Sequence, residues 1–161
     1  MIRLSKIADY GIVMMTHLAR ERRAQGEDGS QSSAHEIAAA TAIPPAMASK
    51  ILKLLCKAEL LRSQRGARGG YELARDAGAI DVAEIIQALD GPIAITACVE
   101  DGDGDCCIEA LCPARTNWQK INGAIRDALA DISLEDMAQS IPGAFMLDAG
   151  QERTRIEKVV E

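Results

Sequence analysis

At 161 residues with 48% apolar residues, the chain suits one packed domain carrying an extra arm and is too short for several. Only 2% of it is aromatic, so its core must be aliphatic, and the abundance of Leu, Ile, Ala and Met favours helices over a β-sandwich. The net charge of −6 does not exclude a nucleic-acid partner, because residues 1–75 carry 12 basic and 7 acidic side chains whereas residues 76–161 carry 6 and 17.

The first segment, MIRLSKIADYGIVMM, breaks its apolar run at Asp9. It is too short and too interrupted for a signal peptide or a membrane span. A cytoplasmic location is therefore expected, with no membrane partner. In that reducing compartment clustered cysteines more often bind metal or do redox work than pair as disulfides. Five cysteines is also an odd number, which a closed disulfide framework would not leave.

Apolar spacing at Ile2, Leu4, Ile7, Ile12, Met14, Met15 and Leu18 predicts a helix over 2–20, and the polar run over 21–33 reads as a loop. Ser33 with Glu36 three residues on is a capping box for a short helix over 35–41. A tight turn at Ala42 and Ile43 follows, and Pro44-Pro45 opens a second helix. Ala48, Ile51, Leu52 and Leu55 share one face of it; Ala46, Ser49, Lys50, Lys53 and Lys57 share the other. Cys56 lies within this helix and reads as structural. Two short helices across a tight turn, the second amphipathic and basic, form a helix-turn-helix pattern.

LLRSQRGARGGYELARD alternates apolar and polar residues either side of a Gly-rich turn, which predicts a β-hairpin with Arg62, Arg65, Arg68 and Arg75 on or near it. A basic hairpin directly after a helix-turn-helix is a wing. The segment 80–91 is a further amphipathic helix stopped by Gly91-Pro92. Beyond residue 117, Trp118, Ile121, Ile125, Leu129 and Ile132 recur at intervals of three and four, a stripe long enough for a dimer seam. Ser133 with Asp136 caps one more short helix, and the tail from Pro142 is irregular.

Between the last two long helices lies ACVEDGDGDCCIEALCPARTNW, with four of the five cysteines and five carboxylates. Asp101-Gly-Asp103-Gly-Asp105 imitates the start of an EF-hand, but the glycine and glutamate that such a loop needs at its sixth and twelfth places are here Cys106 and Cys112. Zinc suits thiolates, yet there is no paired CxxC spacing, and His17 and His35 are remote in sequence. Several thiolates in a Gly-rich loop suit an iron–sulfur cluster. A vicinal Cys106-Cys107 dithiol of a thiol oxidoreductase lacks both a CxxC at a helix start and a nearby His to lower a thiol pKa.

The stretches MIRLSKIADYG, LLRSQRGARGGYELARD and CCIEALCPARTNWQKINGAIRDAL, followed by ISLEDM, resemble the Rrf-two family of winged-helix transcriptional regulators, the IscR/NsrR type. Within that family the chain looks most like the proteobacterial regulators of SUF iron–sulfur assembly. The resemblance implies a homodimer that binds palindromic promoter DNA, senses occupancy of an iron–sulfur cluster and is not an enzyme. It implies Cys98, Cys106 and Cys112 as cluster ligands, with 2Fe–2S favoured over 4Fe–4S.

Cys106 and Cys112 keep the family's six-residue step, and Trp118 falls six after Cys112, but the step from Cys98 to Cys106 is two residues longer than in IscR-like members. Those members place a His three residues after the last cysteine, where this chain has Arg115. Asp9 of the partner subunit is then the preferred fourth ligand, with Cys107 or an exogenous small molecule as competitors. For DNA the expected contacts are Ala46, Met47, Ser49, Lys50 and Lys53 of the recognition helix and Arg65 and Arg68 of the wing. The expected fold is mostly α with a small β-hairpin wing. A winged helix-turn-helix domain spans 1–91, a cysteine-rich loop 92–117, the dimerisation helix and a short following helix 118–141, and a tail 142–161. The rival reading is a winged-helix redox or zinc sensor without a cluster.

Overall fold

The computed structural model describes residues 3–26, 31–66, 69–96 and 112–139. Among the described residues, six helices and a two-stranded hairpin run in the order α1 (Lys6–Gln25), α2 (Ala34–Thr41), α3 (Pro45–Lys57), β1 (Leu61–Ser63), β2 (Tyr71–Leu73), α4 (Val82–Asp90), α5 (Arg115–Ala130) and α6 (Leu134–Gln139). A one-turn 3-10 helix, Ala77–Ala79, precedes α4. The fold is mostly α with a β-hairpin wing, as the sequence leads one to expect.

α1 does not begin at residue 2. The Ser5 hydroxyl caps it by accepting from the backbone N–H groups of Ile7 and Ala8, so Arg3 and Leu4 lie before the first turn. Nor does α1 stop at Arg20. It continues through Glu21–Gln25 and ends at Gly26, whose φ of 80° suits glycine. That last turn lacks apolar periodicity because it is mostly solvated.

The turn into α3 forms as expected. Ala42 takes the left-handed conformation at φ 54°, Pro44 occupies the cap position and Pro45 the first helical position. The core is aliphatic, built on Met14, Met15 and Leu18 of α1, Ile37 of α2, Ile51, Leu52 and Leu55 of α3, Leu73 of β2, and Ile85 of α4. α1 and α4 cross closely at Gly11, where an added Cβ would lie 2.1 Å from a Leu89 methyl.

The hairpin pairs Leu61 with Leu73, Arg62 with Glu72 and Ser63 with Tyr71, antiparallel. Its sheet gains a third, one-residue strand. Ser32 exchanges two backbone hydrogen bonds with Tyr71, of 3.2 and 2.8 Å, and its hydroxyl donates to the Glu21 carboxylate. Gly70 permits this approach, since a Cβ there would meet the Ser32 backbone at 2.7 Å. The loop joining α1 to α2 thus steadies the wing.

α4 starts two residues later than the periodicity suggests. Asp81 is its cap, in a reciprocal box with Glu84. Ile80 is instead extended and accepts from the Leu134 N–H at 2.8 Å, while the Val82 N–H donates to the Ile132 carbonyl at 3.0 Å. The same pairing ends α5 at Ala130, short of Ile132. Ser133 caps α6 together with Asp136, and Leu134 is fully buried in the common core.

Candidate functional site

The face expected to read DNA is built by α3 and the wing. Ala48, Ile51, Leu52 and Leu55 are all buried, which turns Ala46, Lys50, Lys53 and Lys57 to solvent. Ser49 is half-buried beside them, and Met47 is half-buried against the core. No acidic side chain stands in the first turn of α3. Its leading end, with the partial positive charge of a helix N-terminus, therefore adds to the attraction for phosphate. Arg62 and Arg65 are exposed on the wing, and Arg68 lies outside the described residues.

Arg75 is committed elsewhere. Its guanidinium pairs with Glu84 at 2.7 Å and donates to the Ala79 carbonyl at 2.9 Å, while its own carbonyl accepts from Arg22 at 2.9 Å. It joins β2 to α4 and α1. Cys56 is half-buried against the core, and burial pushes its thiol up, partly offset by the Ser63 side chain. This thiol is poorly suited to thiolate chemistry.

Of the expected cluster ligands, Cys98, Cys106 and Cys107 lie outside the described residues. Cys112 is a free, half-buried thiol just before α5, and its carbonyl accepts from the Arg115 N–H. Asp9 is exposed in the first turn of α1; its backbone N–H donates to the Ser5 carbonyl, while its carboxylate has no hydrogen bond or ion pair among the described residues. Those residues bring together no group of three or more His, Cys, Asp or Glu side chains able to hold a metal. The two described donors are nonetheless accessible, one sulfur and one carboxylate, and they suit an iron–sulfur group completed by the remaining cysteines. Arg115, where a ligand His would stand, is half-buried at the first position of α5.

The apolar stripe of α5 divides in two. Trp118, Ile121 and Ile132 stand exposed at 38, 45 and 41%, whereas Ile125 and Leu129 are half-buried. Sequence reasoning missed Asn122, the one buried residue of α5. Its carboxamide donates to the Ile93 carbonyl at 2.9 Å and accepts from the Ile95 N–H at 3.1 Å. A lone polar residue in an apolar stripe was the only signal.

A family model described as an iron-dependent transcriptional regulator, Rrf2 (the Rrf-two family), matches residues 4–140. The chain belongs to the Rrf2 family. The HTH-type transcriptional regulator CymR of Bacillus subtilis is 30% identical over 143 residues, covering 88% of this chain and 94% of that protein. The regulator IscR of Vibrio cholerae is 35% identical over 88 residues, 55% of this chain and 50% of that protein.

Among solved structures, CymR, described as the global cysteine regulator of B. subtilis, superposes with a TM-score of 0.67 at 29% identity, covering 88% of this chain and all of that one. T. potens IscR does so with a TM-score of 0.66 at 28% identity, covering 90% and 92%. This Rrf2 protein is therefore a winged-helix, DNA-binding transcriptional regulator rather than an enzyme, like the relatives named above. No described helix is long and apolar enough to cross a membrane.

Proposed function

We propose that this Rrf2 protein is a homodimeric regulator that senses an iron–sulfur cluster, with promoters of SUF iron–sulfur assembly genes as its targets. The observation that carries the reading is the placement of the cysteine-rich segment. It is inserted between α4 and α5 and returns at the free thiol of Cys112, directly before the helix that bears the exposed seam. The iron dependence in the family's description supports it.

Cys98, Cys106 and Cys112 would hold the cluster, with Asp9 of the partner subunit or Cys107 completing it. When bound, the group supplies a redox-sensitive cross-link between the loop and the start of α5. In each subunit Lys50, Ser49 and their neighbours would meet a major groove of a palindromic operator, while Arg65 and Arg68 hold phosphates or the minor groove. Trp118, Ile121 and Ile132 would bury against the second copy and set the spacing between half-sites. Ordering the loop then biases the placement of the two heads and so the affinity for DNA.

A second reading comes from the CymR comparison, since the CymR and T. potens IscR structures match this chain equally well, with TM-scores of 0.67 and 0.66. The loop thiols would then sense oxidants or a thiol metabolite, or hold zinc, without a cluster. Anaerobic purification with iron and acid-labile sulfide analysis separates the two. A brown protein with visible charge-transfer absorption and matched iron and sulfide supports the cluster. A colourless protein with normal promoter affinity supports the thiol sensor.

A further inference from the structure

We infer that Asn122 is a positioning residue that passes the state of the cysteine-rich loop to the seam helix. This deepens the sensing reading above and rests on it.

The chain leading into the loop runs through Ile93, Ala94 and Ile95, and the Asn122 carboxamide grips it at two points, the Ile93 carbonyl and the Ile95 N–H. The amide makes the pair of bonds that one residue of a parallel neighbouring strand would make with its N–H and C=O, donating to one residue's carbonyl and accepting from the N–H two residues on. Few side chains can do both at that spacing. Leu offers neither bond, Asp loses the donor and brings a charge, and Gln reaches too far by one methylene. The loop's other end arrives at Cys112, whose carbonyl accepts from the first residue of α5. Both ends of the loop are thus fastened to the first two to three turns of α5.

The far end of α5 is fastened to the head. Ile132 and Leu134 exchange backbone hydrogen bonds with Val82 and Ile80, and Leu134 is buried in the core that also holds the recognition helix. A 16-residue helix is about 24 Å long. It therefore works as a lever with the loop pulling at one end and the head held at the other. Asn122 is the only residue of α5 that is buried, and it adjoins Ile121 of the exposed seam. A change in the loop that shifts residues 93–95 must either break both Asn122 bonds or turn α5, and with it the seam. Leaving the buried Asn122 carboxamide unpaired is costly, so turning is the favoured response.

The test uses the full chain as wild type, Asn122→Leu and Asn122→Asp. Each is compared with its thiols unloaded, reconstituted with iron and sulfide, and loaded with zinc(II). Emission of Trp118, the only tryptophan in the chain, reports on α5, and promoter affinity reports on the heads. The variants should load the same metal and bind DNA like wild type when unloaded, but the change on loading should collapse. A wild-type affinity ratio in the range of about 5–150-fold, usual for coupled sites, should fall to about one in Asn122→Leu and to an intermediate value in Asn122→Asp. If the Leu variant loses its helical circular dichroism, the Asp variant decides.

Variants that keep the full wild-type step overturn the inference, and so does a wild type that loads without any step. A wild type that takes up zinc but no iron and sulfide defeats the cluster reading alone, since the zinc arm still compares the variants. One that takes up neither overturns both.

Discussion

Ser5 and Asp90 fasten the start of α1 to the end of α4. The Ser5 hydroxyl and backbone N–H both donate to the Asp90 carboxylate, while the same hydroxyl oxygen accepts from Ile7 and Ala8 to cap α1. One serine thus serves a local and a long-range role, beside Gly91 where the chain leaves α4. Ser5→Ala should cost about 1 kcal/mol for the lost cap. Asp90→Ala should cost less, and the double variant should show a coupling energy of roughly 0.5–1 kcal/mol, at the low end because both groups are exposed. Denaturant unfolding of the four proteins measures it, and strict additivity would show the contact to be idle.

The capping boxes predict a weakness to acid. The Ser33 hydroxyl and then its backbone N–H hold the Glu36 carboxyl below the usual glutamate range, and Ser133 does the same for Asp136. A group with a depressed folded pKa adds stability above its unfolded pKa and loses it as pH falls through the folded value. The advantage of wild type over a Glu36→Gln/Asp136→Asn variant should therefore be full at neutral pH. It should fade as pH drops from about 5 to about 3. Chemical denaturation across that range checks the sign; a gap that widens in acid would reverse it.

These boxes also show what a sequence can disclose. Ser33 with Glu36, and the buried quartet of α3, are patterns within a few residues of one another, and both are found where the spacing puts them. Asp81 with Glu84 carried the same signal, yet the apolar run from Ile80 masks it. Ser5 lacks a Glu or Gln three residues on, so its cap does not stand out. The third wing strand at Ser32 and the grip of Asn122 on residues 93–95 depend on partners 27 to 39 residues away, which no local period encodes. Of the clustered cysteines only Cys112 lies within the described residues, so their chemistry is read from the sequence alone.

The recognition surface predicts a division between two kinds of contact. Lys50→Ala and Arg65→Ala remove exposed cations from α3 and the wing and leave the core untouched. A lost phosphate contact should lower the slope of log affinity against log salt by about 1, whereas a lost base contact should cost about 1–3 kcal/mol and relax specificity. Fluorescence anisotropy with promoter DNA over a salt series distinguishes them. Arg75→Ala should instead lower stability, since its guanidinium is engaged by Glu84 and Ala79. If both surface variants bind as wild type at every salt concentration, the DNA surface is misplaced.

The seam predicts an oligomer sensitive to single charges. Ile121 is 45% exposed in one chain, and Ile125, one turn on, is half-buried. Asp at Ile121 would bury an unpaired carboxylate only if a second copy covers it, at a cost of several kcal/mol to association. In sedimentation, Ile121→Asp should be monomeric at micromolar concentration while keeping its helical circular dichroism. A dimer that survives this change places the interface on another face.

The loop predicts an order among its ligands. Cys98, Cys106 and Cys112 should each be required for a stable cluster, and Cys107→Ala should retain most of it. Consecutive side chains of an extended chain point to opposite sides, so Cys106 and Cys107 cannot both easily face one iron site. The six-residue step to Cys112, which the resemblance to the family implies, favours Cys106. Asp9→Ala should form a cluster of altered spectrum and shorter lifetime, because a carboxylate is a weaker and more exchangeable ligand to iron than a thiolate. The Asp9 carboxylate is exposed and makes no hydrogen bond or ion pair among the described residues, so its removal should change unfolding little. This separates a ligand from a structural residue. Anaerobic reconstitution with iron and sulfide per monomer reads each variant. A site emptied by Cys107→Ala but kept by Cys106→Ala would exchange their roles, and stoichiometric zinc in place of iron would remove the cluster from the account.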